Sequence, residues 1–235
     1  MQRRRTAFGA LAAGLAGVAA CVPGEARRPP ERATPTPALR PPLTYAALGA
    51  SDAAGVGVED PQRDGWVPIL SRRLPQPTRL VNLGIPGVRL FEAIEVELPP
   101  LLEAQPDLVT IWLVVNDVLT AIPLDAYRAD LDRLLGALRG GTRARIAIGN
   151  VPNAPDSLPY LGLPPTERRA VAETWNAAIA AAAAAHGATL VDLFRLWPLV
   201  EHPEYIGPDR LHPTMPGYRA LAETFHRVLV DERIV

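Results

Sequence analysis

The stretch "LVTIWLVVND" (residues 108–117) contains eight consecutive apolar or β-branched residues, followed by two polar ones. A strand of this composition carries apolar side chains on both faces, which is typical of a parallel sheet covered by helices. We therefore predict a buried strand over residues 108–115, with the polar pair Asn116 and Asp117 at its carboxyl end.

Strand-like and helix-like segments alternate on both sides of this run. The pattern predicts further strands at residues 45–49, 79–83, 145–149 and 189–193. It predicts helices at residues 66–74, 88–104, 124–138, 166–185 and 215–230, the second of them interrupted by Pro99 and Pro100. Five βα units predict an α/β fold, a three-layer α/β/α sandwich with a mostly parallel five-stranded sheet.

The composition excludes several kinds of site. All 24 basic residues are arginine, which excludes Schiff-base lysines, Ser-Lys dyads and the Gly-Lys phosphate loop. The single cysteine, Cys21, has no partner in the chain for a disulfide, and the four histidines show no metal-ligand spacing. A formal net charge of −1 gives no general attraction to nucleic acid. We therefore expect no metal, no cofactor and no nucleic-acid partner.

The N-terminal segment has the composition of an export signal. Residues 1–20 contain three arginines and then a run of small and apolar residues, too short to span a bilayer as a helix, which takes about 20 residues. The tetrapeptide "VAAC" (residues 18–21) resembles the lipobox of bacterial lipoproteins, which implies cleavage before Cys21 and lipidation of its thiol. An ordinary signal peptide with an incidental cysteine and a short N-terminal anchor are the alternatives.

Residues 21–42 are rich in proline, alanine and arginine and offer little apolar surface to bury. We interpret them as an extended linker that separates the lipidated cysteine from a folded domain at residues 43–235. The expected location is outside the cytoplasm, anchored to the membrane through the lipid; secretion is the alternative.

Polar residues and glycines follow the predicted strands. Ser51 follows the first strand, Gly87 lies after the second, Asn116 ends the third, and Asp209 and His212 precede the last helix. Ligands of parallel sheets bind at the carboxyl ends of the strands, so these segments can share one edge. Together they provide a nucleophile, oxyanion donors, a base and an acid that orients the base, which is the inventory for acyl transfer.

In this order and context, the segments resemble the SGNH (GDSL-like) hydrolase family over residues 44–218. The resemblance implies a flavodoxin-like fold, with Ser51 as the nucleophile, His212 as the general base and Asp209 as its orienting acid. It also implies an oxyanion hole formed by the backbone amides of Ser51 and Gly87 and by the side chain of Asn116.

Two positions depart from the family pattern. Ala50 stands where the family has an aspartate before the nucleophile, and Val114 replaces a glycine two places before Asn116. Ala50 replaces no catalytic group, whereas Val114 brings a branched side chain to the floor of the predicted site. Asp192, after the fifth strand, is the competing acid, although we interpret it as structural.

Two further polar residues have structural interpretations. Asp117 is expected to brace the loops of the site, and Asn176 to join its helix to a loop by hydrogen bonds.

The resemblance implies a serine ester hydrolase that cleaves carboxylic esters through an acyl-enzyme. Small-molecule, lipid and acylated-glycan esters all remain open as substrates, and the loop at residues 150–165 is expected to line the pocket.

A catalytically silent surface lipoprotein that binds glycan or lipid is the alternative. A general α/β-hydrolase is disfavoured because its Gly-x-Ser-x-Gly motif would lie deeper in the chain. A nucleotide-binding turn is disfavoured because the Gly-x-Gly-x-x-G spacing is missing.

Overall fold

A parallel sheet in the order β2-β1-β3-β4-β5 forms the middle layer of the computed structural model, which describes residues 42–154 and 163–235. All four neighbouring pairs of these strands are parallel. Residues 1–41, which include the predicted signal peptide, Cys21 and most of the predicted linker, and residues 155–162 lie outside the described part. The strands are β1 Leu43–Gly49, β2 Thr78–Asn82, β3 Leu108–Trp112, β4 Arg145–Gly149 and β5 Thr189–Val191.

Helices join the strands and form the outer layers, which confirms the predicted α/β/α sandwich. They are α1 Ser51–Ala54, α2 Pro61–Asp64, α3 Trp66–Arg73, α4 Leu90–Val96, α5 Leu98–Ala104, α6 Val115–Leu119, α7 Leu124–Gly141, α8 Pro165–Ala185, α9 Leu193–Leu196 and α10 Met215–Asp231. Helices α3 and α10 contact each other, while α4, α5, α7 and α8 form a second connected group. No helix in the described ranges has the length and apolar character needed to cross a membrane.

The order in which strands are added to the sheet changes direction at β1. From β1 the chain passes outward to β2, then returns past β1 to β3 and continues through β4 to β5. Right-handed crossovers therefore place α3 on one face of the sheet and α4, α5, α7 and α8 on the other. The gap between the carboxyl ends of β1 and β3 is the topological switch point, where α/β sheets open a crevice for ligands.

Three predicted boundaries were wrong for identifiable physical reasons, besides shifts of one to three residues at the ends of other elements. The strand predicted at residues 108–115 ends at Trp112, because the apolar residues after it, Leu113 and Val114, are buried in an irregular segment that leads into α6. The helix predicted at residues 88–104 is two helices that meet at Glu97, with Pro99 and Pro100 in the first turn of the second, where proline is tolerated.

The strand predicted at residues 189–193 stops at Val191, because Leu193 already begins α9. Leu193 is nevertheless fully buried, so its apolar character reflects burial in a helix and not strand pairing.

Two buried contacts hold the layers around the switch point. Tyr45 and Thr110 share a hydrogen bond of 2.8 Å between their hydroxyl oxygens, which joins β1 to β3 within the sheet. Trp66 and Phe225 stack with ring centroids 4.6 Å apart, which joins α3 to α10. Aromatic pairs of this kind combine a large buried area with a preferred geometry. The first contact therefore fixes β1 against its neighbour in the sheet, and the second fixes α10 against α3.

The start of α10 anchors the loop that precedes it. The Thr214 hydroxyl accepts the Gly217 amide at 3.3 Å as an N-cap, and the Thr214 amide donates to the Tyr205 carbonyl at 2.8 Å. At Gly217 the backbone passes so close to Tyr205 that an added Cβ would lie 2.0 Å from the Tyr205 carbonyl oxygen. Only glycine allows this approach.

Gly217→Ala is expected to destabilise the protein by roughly 1–3 kcal/mol, because the new methyl group has to displace backbone atoms. Gly140→Ala is the matched control: Gly140 lies in α7, and an added Cβ meets nothing within 4 Å. Alanine there is expected to stabilise by about 0.5–1 kcal/mol through helix propensity. Urea unfolding of both variants checks the pair, and equal effects would contradict the packing described at Gly217.

Candidate active site

Ser51 lies where β1 ends and α1 begins. The strand finishes at Gly49, and Ser51 is the first residue of the four-residue helix α1. An added Cβ at Gly49 would lie 2.5 Å from the Ala53 side chain, so this turn is compatible only with a residue that lacks a side chain at that position. The tight turn holds the half-buried Ser51 at the carboxyl edge of the sheet.

A continuous chain of hydrogen bonds joins Ser51 to the loop before α10. His212 Nε2 lies 2.9 Å from Ser51 Oγ, and His212 Nδ1 lies 2.6 Å from Asp209 Oδ2. The other carboxylate oxygen, Asp209 Oδ1, accepts the backbone amides of Leu211 and His212, both at 3.0 Å. The Asp-x-x-His spacing therefore forms a tight turn in which the carboxylate holds both the backbone and the ring of His212.

The negative charge on Asp209 determines which His212 nitrogen carries the proton in this series of hydrogen bonds. Desolvation acts to raise the pKa of Asp209, but hydrogen bonds from the His212 ring and from the Leu211 and His212 amides outweigh it and lower the pKa. An ionised carboxylate at 2.6 Å favours a proton on His212 Nδ1, which leaves Nε2 as the acceptor for the Ser51 hydroxyl. The geometry thus prepares Ser51 to lose its proton to His212.

Asn116, in the first turn of α6 after β3, lines the same cavity. The cavity is lined by Ser51, Asn116 and His212, among others, and includes about 400 Å³ of space, part of it open solvent. Asn116 Nδ2 donates one hydrogen to the Val88 carbonyl at 2.8 Å. Because an amide nitrogen carries two hydrogens, this bond orients the side chain and leaves the second hydrogen for another acceptor.

Gly87 borders this cavity without lining it, whereas its neighbour Val88 does line it. The backbone of Gly87 has φ +81°, a conformation that favours glycine, while an added Cβ would meet no atom within 4 Å. Glycine is thus required here for its conformation and not for space. Within the described ranges, the amides of Gly87 and Ser51 donate to no other residue, so both remain available.

Val114 and Ala50 both line the cavity and are buried. Val114 is only 2% exposed and belongs to the hydrophobic core, so its side chain forms part of the floor as expected. The Ser51–His212 hydrogen bond forms above this floor, so Val114 does not prevent the two groups from meeting.

The three interpretations of polar residues as structural agree with their contacts. Asp117 is buried and accepts the Leu90 amide at 3.1 Å, which braces the start of α4, and burial raises the pKa of this carboxyl to about 6. Asn176 exchanges two hydrogen bonds with the backbone of Val151, at 2.8 and 2.9 Å. Asp192 accepts from Asn150 at 2.9 Å and therefore supports β4 and β5. The acid that contacts His212 is Asp209.

The sequence patterns did not indicate two carboxyl groups that lie near the site. Asp52, directly after Ser51, accepts a hydrogen bond from Trp66 Nε1 at 3.3 Å, and desolvation raises its pKa. Glu97 is 1% exposed at the junction of α4 and α5. The signal that could have revealed Glu97 is an acidic residue directly before "LPPLL" within an otherwise apolar helical face.

A second cavity adjoins the first and is almost entirely apolar. Both cavities share Trp112, Val115 and Leu211 as walls, so the second cavity adjoins the one that Ser51 lines. The second also includes about 400 Å³ of partly open space, and its remaining walls are Val118, Val151, Pro152, Ala154, Trp197, Leu199 and Ile206. Three of these belong to the loop at residues 150–165 that was expected to line the pocket; residues 155–162 of that loop lie outside the described part.

Among the described residues, no group of three or more histidine, cysteine, aspartate or glutamate side chains is arranged to hold a metal ion.

The sequence model of the GDSL-like lipase/acylhydrolase family matches residues 47–220, most of the chain. The chain belongs to this family and is a hydrolase. No curated protein sequence matches it.

Solved structures share this fold. TesA is 26% identical with a TM-score of 0.68, covering 80% of this chain and 98% of its own. The psychrotrophic esterase EstA from Pseudoalteromonas sp., whose structure was solved with monoethylphosphonate as inhibitor, is 21% identical with a TM-score of 0.66, covering 82% and 99%. Axe2, an acetylxylan esterase from Geobacillus stearothermophilus, is 19% identical with a TM-score of 0.64, covering 80% and 94%.

Proposed function

We propose that this hydrolase cleaves carboxylic esters through an acyl-enzyme formed on Ser51. The observation that carries the proposal is the chain from Asp209 through His212 to Ser51, with contacts of 2.6 and 2.9 Å. A serine hydroxyl is a weak nucleophile unless a base lies within hydrogen-bond reach and a third group orients that base. Both conditions are met here: His212, 161 positions from Ser51 in the sequence, lies within reach of its hydroxyl, and Asp209 orients His212.

In the first half of the reaction, Ser51 Oγ attacks the ester carbonyl carbon while His212 Nε2 takes the hydroxyl proton. The negative Asp209 stabilises the imidazolium that results. When the tetrahedral intermediate collapses, the bond to the alcohol oxygen breaks, and His212 returns the proton to that oxygen. The alcohol leaves, and the acyl group remains on Ser51.

In the second half, water attacks the acyl carbon while His212 Nε2 takes one of its protons. Collapse of the second intermediate breaks the bond to Ser51 Oγ, which receives the proton from His212. The carboxylic acid leaves, and the site is restored with no proton gained or lost. The same base therefore serves both halves, and the scheme calls for no cofactor.

The oxyanion of each intermediate is assigned to three donors, namely the amides of Ser51 and Gly87 and the second hydrogen of Asn116 Nδ2. Two features support this assignment. The two amides are not engaged by other described residues, and the bond from Asn116 to Val88 fixes the amide plane in advance. Donors that are already oriented stabilise developing charge most effectively, because they need not reorganise during the reaction.

The apolar cavity favours an ester with an alkyl chain over an acetylated sugar. It shares Trp112 and Leu211 with the cavity that Ser51 lines, and aliphatic and indole groups form its walls. A hydroxylated sugar placed there would lose its hydrogen bonds to water without replacement, whereas an alkyl chain would gain from burial. We therefore assign this cavity to the acyl chain of a lipid-like or small-molecule ester. Acetylxylan is the substrate class named for Axe2 and is the alternative.

The proposed place of action is outside the cytoplasm, with lipidated Cys21 as the membrane anchor. The "VAAC" tetrapeptide at residues 18–21 and the proline-rich residues after it support this proposal. In this proposal the anchor determines where the enzyme meets its ester, whereas Ser51, His212 and Asp209 cleave it.

Ser51→Ala is expected to lower kcat for p-nitrophenyl butyrate by at least about 10³-fold, because the attacking oxygen is lost.

Asn116→Ala is expected to lower kcat by about 10²–10³-fold with little change in KM, because its hydrogen bond strengthens only as charge develops on the carbonyl oxygen. Steady-state kinetics of the purified domain measure both effects.

Undiminished turnover by Ser51→Ala would contradict the mechanism. A raised KM with unchanged kcat in Asn116→Ala would instead mean that Asn116 binds the substrate in its ground state. A wild-type domain that folds but turns over no ester would favour the silent binding protein.

With p-nitrophenyl esters of increasing chain length, kcat/KM is expected to rise by about fourfold per methylene from acetate until the cavity is filled, because each methylene leaves water. Ala154→Phe places a ring in the apolar cavity and is expected to abolish this increase while leaving acetate hydrolysis nearly unchanged. The acetate rate thus serves as the internal control. A wild-type preference for acetate and for acetylated xylan would contradict the assignment of the cavity.

Cys21→Ser is expected to move the protein out of the membrane fraction, because serine offers no thiol for the lipid. Intact mass of the wild-type protein extracted from membranes should show residues 1–20 removed and a diacylglycerol-sized addition. Normal processing and membrane retention of Cys21→Ser would contradict the proposed anchor.

A further inference from the structure

Glu97 is a buried carboxyl group that the proposed chemistry does not use. Its side chain is 1% exposed, and its Oε2 accepts the backbone amide of Gly49 at 3.1 Å. Gly49 is the last residue of β1 and lies two residues before Ser51. The other oxygen, Oε1, is buried and has no hydrogen-bond partner among the described residues. A buried polar group with half of its capacity unused is costly, so its presence needs a reason.

Glu97 provides the hydrogen-bond acceptor for the Gly49 amide, which has no partner in β2. Strand β2 pairs with β1 only as far as Ala47, opposite Asn82, so Gly49 has no strand partner on that side. Glu97 takes the Gly49 amide, while the Gly49 carbonyl accepts the amide of Ile85 at 3.1 Å. Gly49 is therefore held by Glu97 at its amide and joined directly, at its carbonyl, to the loop that leads to Gly87.

The surroundings of Glu97 indicate a neutral acid. Burial, together with the nearby charge of Asp52, raises the pKa of Glu97 to about 8 against the opposing effect of the Gly49 and Ile85 amides. Near pH 7 the group is therefore protonated for most of the time and still offers a carbonyl-type oxygen to Gly49. An amide of the same shape could make the same contact.

We propose that Glu97 is a positioning residue that fixes the Gly49 peptide, and through it the separation between Ser51 and the Gly87 amide in the transition state. It lies at the junction of α4 and α5 and lines neither cavity, so it acts through the backbone and does not touch the substrate. Misplacement of an oxyanion donor by about 1 Å can cost on the order of 10²-fold in rate. The inference rests on the proposed function, because it assigns Glu97 a role in the geometry of that reaction.

The test compares Glu97→Gln with Glu97→Met in the purified protein. Glutamine keeps an oxygen for the Gly49 amide, whereas methionine has a similar length and no oxygen. We expect Glu97→Gln to retain kcat for p-nitrophenyl butyrate within about threefold. We expect Glu97→Met to lower kcat by about 10–100-fold, with KM within about threefold, because the loss falls on transition-state geometry.

Unfolding in urea separates positioning from a merely structural role. Glu97→Met removes a poorly paired carboxyl but also leaves the buried Gly49 amide without an acceptor, so it is expected to unfold at a lower urea concentration than wild type and to remain folded without urea. A folded but slow Glu97→Met enzyme, restored by glutamine at the same position, supports the proposal. Should Glu97→Met not fold, Glu97→Leu carries the same comparison, and failure of both to fold would overturn the proposal in favour of a structural role.

Wild-type kcat in Glu97→Met would overturn the proposal, as would equal losses in Glu97→Met and Glu97→Gln. Ser51→Ala, measured in parallel, keeps the two proposals apart. If Ser51→Ala retains activity, the proposed function itself fails. If Ser51→Ala is inactive while Glu97→Met matches wild type, only the role of Glu97 fails.

Discussion

The hydrogen bond between His212 Nε2 and Ser51 Oγ joins two residues 161 positions apart, and the arrangement of the whole domain is needed to form it. One partner stands at the end of β1, and the other stands in a loop that the start of α10 holds in place. Stacking of Trp66 on Phe225 fixes α10 against α3, and the Thr214 cap fixes the loop against α10. A contact of 2.9 Å is made or lost by small displacements, so the packing of these layers is a precondition of the chemistry.

Much of this arrangement could be predicted from the sequence. The apolar run at residues 108–115 indicated a doubly covered parallel strand, and alternating segments on either side gave the α/β/α sandwich. Strand-end positions were informative because the carboxyl ends of parallel strands meet at one edge, which brought Ser51 and Asn116 to the switch point between β1 and β3. The Asp-x-x-His spacing was equally informative, because three residues are the reach of a turn in which Asp209 can hold the ring of His212.

Other features were beyond the sequence for identifiable physical reasons. An apolar residue is buried equally well in a strand, a helix or a connecting segment, so hydrophobicity could not show that β3 ends at Trp112 and β5 at Val191. The apolar cavity is formed by residues from four separate segments, and no local pattern encodes its walls. Glu97 appears in the sequence as one more helical glutamate, and only its burial and its bond to the Gly49 amide distinguish it. Membership of the GDSL-like family defines the class of reaction, whereas these features would determine substrate and rate.

The central claim is that Ser51 forms a covalent bond during the reaction, and a fluorophosphonate probe tests it most directly. The phosphonyl group reacts with an activated serine and stays attached, so mass spectrometry of the digested protein locates it. The account predicts one addition per chain, on the peptide that contains Ser51, and its loss in His212→Ala, where no base remains to take the proton. Labelling of a different serine, or undiminished labelling of Ser51 in His212→Ala, would contradict the account.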